Sequence, residues 1–251
     1  MYLPEHENER LPLISCIMPT HNRRHFIPKA IEYFLRQDYP ERELIIMDDS
    51  TEPFEVSIPN DRRIRYFRSR SKSTVGEKRN LACEEARGEI IAHWDDDDWM
   101  AERRLSYQVK SLLDQQADLC GLNRLLFLDV TSGQSRQYCY LNRQKPWVAG
   151  GTLCYTKDFW GSNHFPALNV GEDTRFVWSD RSKKVLVLPD HKIYIAVIHR
   201  QNTSTKRTGD PQWRSYPAAE IKKMMGKDWA FYTDHRDAAQ RPEPQPPAHH
   251  S

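Results

Sequence analysis

The sequence has no run approaching the ~18 consecutive apolar residues that a membrane-spanning helix requires, and its opening residues, MYLPEHENERLP, contain no apolar stretch of the kind a secretory signal carries. Cysteine is scarce. The five (Cys16, Cys83, Cys120, Cys139 and Cys154) are odd in number, scattered, and form no CxxC pair. That excludes a disulfide framework and a zinc finger and fits reduced thiols in a cytoplasmic protein. An excess of one charge is also missing: 37 basic side chains face 35 acidic ones, for a formal net charge of +2. A dedicated nucleic-acid binder carries a clear basic excess, so no nucleic-acid partner is expected. Internal repeats are absent too. What remains is a chain of 251 residues, 38% hydrophobic and 29% charged. It is long enough to bury a core without a disulfide or metal staple, as one large domain or two small ones.

Apolar periodicity gives the organisation. Leu13 to Met18 is a short apolar run closed by Pro19 and reads as a buried strand. Ile27, Ala30, Ile31, Phe34 and Leu35 share one helical face, with Pro28 in the first turn. Glu43 to Met47 is a second strand, ending at Asp48-Asp49-Ser50, so the first fifty or so residues read β-α-β. A more exposed strand at Ile64–Phe67 follows, then a helix from Glu77 to Ala86 with Leu81, Ala82 and Ala86 inward and Gly88 as its stop. The strand Ile90–Trp94 runs straight into Asp95-Asp96-Asp97-Asp98, with Trp99 at a helix start and Ala101, Leu105, Val109, Leu112 and Leu113 on that helix's apolar face. Leu119–Val130 is strand-rich and turns at Thr131–Gln134; Val185–Leu188 and Ile193–Ile198 are late strands. The expected fold is α/β, a mostly parallel central sheet flanked by helices. Residues 1–12 read as an extension, 13–130 as a nucleotide-binding half and 131–205 as an acceptor half. Residues 206–233 read as a segment packing on the domain, and the proline-rich 234–251 as a disordered tail.

In open α/β sheets ligands bind at the carboxyl ends of the strands. Three polar clusters fall there: Pro19-Thr20-His21-Asn22, Asp48-Asp49 and Asp95–Asp98. Consecutive carboxylates at a strand end repel one another and raise each other's pKa values unless a cation compensates. A hard divalent ion with oxygen ligands, Mn²⁺ or Mg²⁺, suits them, shared with substrate phosphates; the plain alternative is a solvated acidic loop. Lys78, Arg79 and Asn80 open a helix, where side-chain charge and helix dipole together suit a diphosphate; otherwise they form a solvated helical face. Glu172 and Asp173, ahead of a short helix, suit either a general base or a helix cap. Gly150-Gly151 permits close backbone approach. Trp147, Trp160 and Trp178 read as packing unless they line a pocket.

The stretches PTHNR, ELIIMDDS, GEKRN...ARGEIIAHWDDDDW, GEDTRF and HRQNTS occur in the order in which they stand in family 2 glycosyltransferases, which the chain resembles over residues 13–205. The resemblance implies the glycosyltransferase A fold and inverting transfer from a nucleotide diphosphate sugar, a UDP-sugar by preference. The acceptor would be a glycan, lipid-linked or other hydroxyl compound. It implies that Pro19 and Thr20 wrap the nucleoside and that Asp49 accepts the uracil imide proton, with Asp48 left to loop amides. Asp95 would contact the ribose and share the metal with Asp97; with aspartate at all four positions the register is open by one residue, which keeps Asp96 and Asp98 in play. Asp173 would be the base, Glu172 its substitute, and His199 would complete the metal shell. Two other classes stay open: another metal-dependent phosphate enzyme, such as a nucleotidyltransferase or phosphatase, and a non-catalytic nucleotide-sugar-binding module.

Overall fold

Apolar residues that continue without a polar break demand burial on both sheet faces, and the opening segments meet that demand. In the computed structural model, which describes residues 10–52, 58–141, 146–179, 182–204, 206 and 208–234, strand β1 (Ile14–Thr20) lies between β2 (Arg42–Asp48) and later strand β4 (Ile90–His93). Both pair with it in parallel, and β3 (Ile64–Arg68) extends the sheet beyond β2. Ile14, Cys16 and Met18 point into one hydrophobic cluster and Ile17 into another, as the two-residue period of a strand requires. Helix α1 (Ile27–Leu35) buries Ile27, Ala30, Ile31 and Phe34, and α2 (Val75–Glu85) covers the opposite face.

Beyond β4 the chain leaves this sheet. The acidic run forms the crossing, and β5 (Trp99–Met100) pairs instead with a strand of a second sheet. Trp99 therefore does not start a helix; α3 begins three residues beyond Ala101 (Arg104–Asp114), burying Leu105, Val109 and Leu112 but leaving Leu113 about half exposed. The strand-rich stretch after residue 118 is likewise divided. β6 (Leu119–Gly121) returns to the first sheet, whereas β7 (Arg124–Asp129) and β8 (Gln134–Cys139) form an antiparallel hairpin in the second. β9 (Cys154–Thr156) runs antiparallel between β4 and β6; α4 (Lys157–Ser162) and α5 (Glu172–Val177) follow, then β10 (Val185–Val187) at the sheet edge. The first sheet has seven strands in the order β10-β6-β9-β4-β1-β2-β3, parallel except for β9. The second, with β11 (Tyr194–Ile198) and β12 (Trp213–Ser215), has five in the order β12-β8-β7-β11-β5.

The mostly parallel, helix-flanked sheet matches expectation, but residue 130 does not separate the sheets, because β9 and β10 join the first from the far side of it. Helix α2 differs in its inward face: Leu81 is 39% exposed, while Lys78, Arg79, Ala82 and Cys83 are buried. Its N-terminus carries a full capping box between Thr74 and Glu77, and Ala86 ends it in an extended conformation. Gly88 serves not as the stop but as a point of close approach, where a Cβ would overlap the backbone of Leu13 and Ser15. Residues 1–9 and 235–251, covering most of the expected extension and tail, lie outside the described residues. Among the described residues no helix is long and apolar enough to cross a membrane.

The C-terminal segment, α6 (Ala218–Met225) and α7 (Trp229–Thr233), packs through Ile221, Met225 and Tyr232. One buried carboxylate fastens it. Asp228 accepts hydrogen bonds from Arg36 Nη2 at 2.7 Å and from Trp99 Nε1 at 3.1 Å, and pairs with Lys29 Nζ at 2.8 Å. Burial alone would raise its pKa; the bonds from Arg36, Lys29 and Trp99 outweigh that and lower it. Removing one partner of a buried ion pair costs about 3–5 kcal/mol, so Asp228→Ala is expected to lose that much unfolding free energy in urea. A loss under about 1 kcal/mol would mean that the segment is not fastened here. Because the folded pKa is depressed, the contribution is complete above the unfolded value of about 4 and disappears as pH falls through the folded one.

Candidate active site

A cavity of about 460 Å³ opens where the two sheets meet, lined by Pro19, Arg23, Arg79, Asp95–Asp98, Glu172, Asp173 and Tyr194. The second sheet supplies its far wall with Phe127, Tyr138 and Trp213, and Trp147 closes one side. The ends of β1 and β4 and the start of α5 thus converge on one volume, which the Asp48-Asp49 end of β2 does not line.

The acidic run divides its labour. Asp98 points inward: Val197 N donates to its Oδ1 at 2.7 Å and the Tyr194 hydroxyl to its Oδ2. Burial, then the charges of Asp97 and Asp95, push its pKa well up. Asp96 is also turned in, accepting from Thr20 Oγ1 at 2.6 Å and Arg23 Nη1 at 2.8 Å. Asp95 is the most open, its side chain 26% exposed, with Arg79 Nη2 at 3.6 Å and the Tyr194 hydroxyl at 3.3 Å. Burial raises its pKa more than Arg79 lowers it. Asp97 Oδ2 is crowded with donors, Arg23 Nη1 and His199 Nε2 both at 2.8 Å and Asn202 Nδ2 at 3.3 Å. Burial opposes its ionisation, but Arg23 and His199 prevail and its pKa falls.

The basic pair expected to grip a diphosphate is committed elsewhere. Lys78 Nζ donates to Asp49 Oδ1 at 2.7 Å and to the Thr20 carbonyl at 2.9 Å, and Arg79 forms a short ion pair with Glu172. Both side chains are buried, because α2 turns them under the cavity rather than toward solvent. Asn80 binds Phe165 at its N–H and carbonyl and accepts from Trp160 Nε1, so it holds the loop after α4. Asp49 also accepts from Ser73 N at 2.8 Å and meets His21 Nδ1 at 3.0 Å; burial would raise its pKa, yet the Lys78 and Ser73 bonds lower it. A second cavity runs past it, lined by His21, Ser50, Thr51, Arg68, Arg70 and Lys72. Asp48 satisfies Ser50 N and the Tyr66 hydroxyl. Asn22, left-handed with φ 53°, joins the β1 and β2 loops through Ser50 and Thr51.

The two carboxylates of α5 have different surroundings. Glu172 is buried against Arg79, whereas Asp173 lines the cavity and, among the described residues, only its Oδ1 is engaged, by the amide of Thr174 at 2.7 Å. A Cβ at Gly150 would overlap the Asp173 carboxylate, and one at Gly151 would overlap Asp95 and Tyr194. The glycine pair is therefore required by close approach at both cavity carboxylates. Trp147 lines the cavity and donates to Thr174 Oγ1 at 3.2 Å, while Trp160 packs in the core and Trp178 bonds the Pro146 carbonyl. Sequence reasoning gave no role to Arg23, Tyr194, Asn202 or Trp213. Arg23 stood in plain view within PTHNR, but its partners are more than seventy residues away.

Asp95, Asp97 and His199 do not converge as a ligand trio; among the described residues no group of three His, Cys, Asp or Glu side chains does. Asp95 turns toward Arg79 and Tyr194 instead. Asp97 lines the cavity, and its Oδ2 and the buried His199 Nε2, 2.8 Å apart, nonetheless bring one oxygen and one nitrogen together. That donor set suits Mn²⁺ with its remaining positions filled by phosphate oxygens and water, so the residues fit such an ion.

Known proteins resemble this chain in sequence and in fold. The putative colanic acid biosynthesis glycosyl transferase WcaA of Escherichia coli is 43% identical over 100 residues, 38% of this chain and 36% of that protein. The chain thus matches little more than a third of that relative's length. Staphylococcus aureus TarS, residues 1–349, solved with UDP-GlcNAc, superposes with TM-score 0.64 at 18% identity, over 88% of this chain and 72% of that one. The mannosyltransferase PcManGT of Pyrobaculum calidifontis, solved with GDP-Man and Mn²⁺, gives 0.57 at 19% identity over 91% and 74%. These two show the shared fold. Residues 15–168 match the profile of glycosyl transferase family 2, and the chain belongs to that family.

Proposed function

We propose that the protein is an inverting glycosyltransferase that moves a sugar from a nucleotide diphosphate sugar, a UDP-sugar by preference, to an acceptor hydroxyl. The supporting observation is one cavity lined by the open carboxylates Asp95 and Asp173 and by Asp97, whose Oδ2 meets the buried His199 Nε2 at 2.8 Å. UDP-GlcNAc bound to TarS supports the choice of donor, and the carboxylate Asp49 beside the second cavity is an acceptor suited to a uracil imide, which only donates there.

A divalent cation, Mn²⁺ or Mg²⁺, bound at Asp97 and His199 supplies positive charge against the leaving diphosphate. The chain's own residues do the rest. Asp95 orients the ribose, and the Pro19–Thr20 segment bounds the nucleoside. The acceptor oxygen attacks the anomeric carbon while the bond to the diphosphate oxygen breaks and its electron pair leaves with the diphosphate. Asp173 Oδ2, the oxygen with no bond to the Thr174 amide, takes the acceptor proton. One displacement inverts the anomeric configuration. Arg79 holds Glu172 by a buried ion pair, which leaves Asp173 as the available base. The aromatic wall of Tyr138, Trp147 and Trp213 bounds the acceptor side.

Ligand that binds only the folded state stabilises it by about 2.7 kcal/mol at one hundred times its Kd, roughly 5–10 °C in Tm for a chain of this size. UDP with Mn²⁺ is expected to give a rise of that order in a thermal-shift screen, and other nucleoside diphosphates less. Equal rises across the bases would remove the uracil assignment. Asp173→Asn is expected to keep UDP affinity within about twofold while transfer falls by about 10²–10⁴; undiminished turnover would place the base elsewhere.

A further inference from the structure

The cation position is already taken by a side chain. Arg23 lies at the end of the turn after β1 and its guanidinium reaches across the cavity mouth, its side chain 15% exposed. Nη1 bridges Asp96 Oδ1 and Asp97 Oδ2, both at 2.8 Å, and Nη2 donates to the Gln201 carbonyl at 2.7 Å and Thr203 Oγ1 at 3.2 Å. One planar fork therefore joins the acidic run to the loop after β11.

His199 reinforces the same arrangement. The Gln201 amide donates to His199 Nδ1 at 3.2 Å, which makes Nδ1 the acceptor and leaves the ring proton on Nε2, aimed at Asp97. A neutral imidazole carries one ring proton, so Nε2 becomes a metal donor only when that proton sits on Nδ1. The Gln201 amide would then lose its acceptor. Both hydrogen bonds of Gln201, one to Arg23 and one to His199, thus belong to an arrangement in which Asp97 has no metal.

We propose that Arg23 is an exchangeable internal counter-ion: it holds Asp97 and the Gln201–Thr203 loop until a divalent cation, arriving with a nucleotide diphosphate, displaces it. Arg23 and the cation exclude each other because both need Asp97 Oδ2. The diphosphate shifts the balance by bringing negative charge for the ion and an alternative partner for the freed guanidinium. Binding of the ion is then ordered, weak alone and strong with nucleotide. This rests on the reading of the cavity as a nucleotide-diphosphate site.

The test is calorimetric titration of Mn²⁺ with and without UDP. For the native chain, UDP is expected to tighten Mn²⁺ binding at least tenfold. In Arg23→Met, Mn²⁺ alone should bind at least tenfold more tightly than in the native chain, with a smaller further gain from UDP. Arg23→Lys keeps the charge but loses the fork; it covers the case that Arg23→Met does not fold, and it too should bind Mn²⁺ alone more tightly than the native chain. Arg24→Met removes the same charge one residue away, from a side chain 51% exposed whose acidic neighbour is Glu52 at 3.9 Å. It should change Mn²⁺ affinity less than twofold. Hydrogen exchange at Gln201 should speed up in Arg23→Met without any metal. The proposal is overturned if the foldable Arg23 variants bind Mn²⁺ no more tightly than the native chain, if none of the proteins binds it, or if Arg24→Met gains as much. Failure of UDP to bind at all would instead sink the nucleotide reading, while the comparison with Mn²⁺ alone still decides the role of Arg23.

Discussion

Four adjacent carboxylates at the junction of two sheets set the constraint that the rest of the site answers. Like charges in a poorly solvated place cannot all ionise without partners, and each aspartate here has a different solution. Asp98 is driven toward its neutral form and used as a structural link to Tyr194 and Val197. Asp96 and Asp97 share Arg23, and Asp95 looks toward Arg79 while staying partly open. A fully buried third arginine, Arg104, donates to the His93 and Gly151 carbonyls at 2.9 Å and lies over the Trp94 and Tyr194 rings. It clamps the strand before the run to the glycine pair beside it. Without these cations the chain could not cross between sheets through so acidic a segment.

The same demand explains why Lys78 and Arg79 are inside. A basic pair on a helix facing solvent would have been free to meet phosphate; buried, each holds a carboxylate that the cavity wall needs, Asp49 in one case and Glu172 in the other. Arg79 also separates the roles of two adjacent acids. Pairing with Glu172 and turning toward Asp95, it leaves Asp173 outside that ion pair, lining the same cavity. Two arginines are thus shared among four acids of the site, Arg23 between Asp96 and Asp97 and Arg79 between Asp95 and Glu172.

Much of the fold was legible because it is written in local periods. The β-α-β opening, the strand that delivers the acidic run and the hairpin turning at Gly133, with φ 72°, follow from spacing alone. Three features were not. Trp99 looks like the entry to an amphipathic helix, but its partner is β11, nearly a hundred residues away, and such pairing leaves no local mark. Hydrophobicity alone places Leu81 inward, yet the ion pairs of Lys78 and Arg79 decide which way α2 faces. The register of the aspartates was unreadable because side-chain type is identical at all four positions. Only the partners distinguish them: Thr20 and Arg23 for Asp96, Tyr194 and Val197 for Asp98.

Arg23 shows most clearly why composition cannot reveal a site of this kind. A lone arginine after a strand has no motif of its own, and its meaning comes from two remote segments, the acidic run and the loop after β11, meeting at one guanidinium. Asp96 and Asp97, paired with Arg23 before any ligand arrives, avoid the cost of leaving a buried carboxylate unpaired. The consequence is that a ligand must replace these contacts rather than simply add to them. Ligands that bring both a cation and an anion, as a metal-bound diphosphate does, can replace them without leaving any group unpaired. A bare cation would strand Arg23, and a bare anion would meet the acidic run. The pairing of Arg23 with Asp96 and Asp97 is therefore itself a selector for the paired ligand.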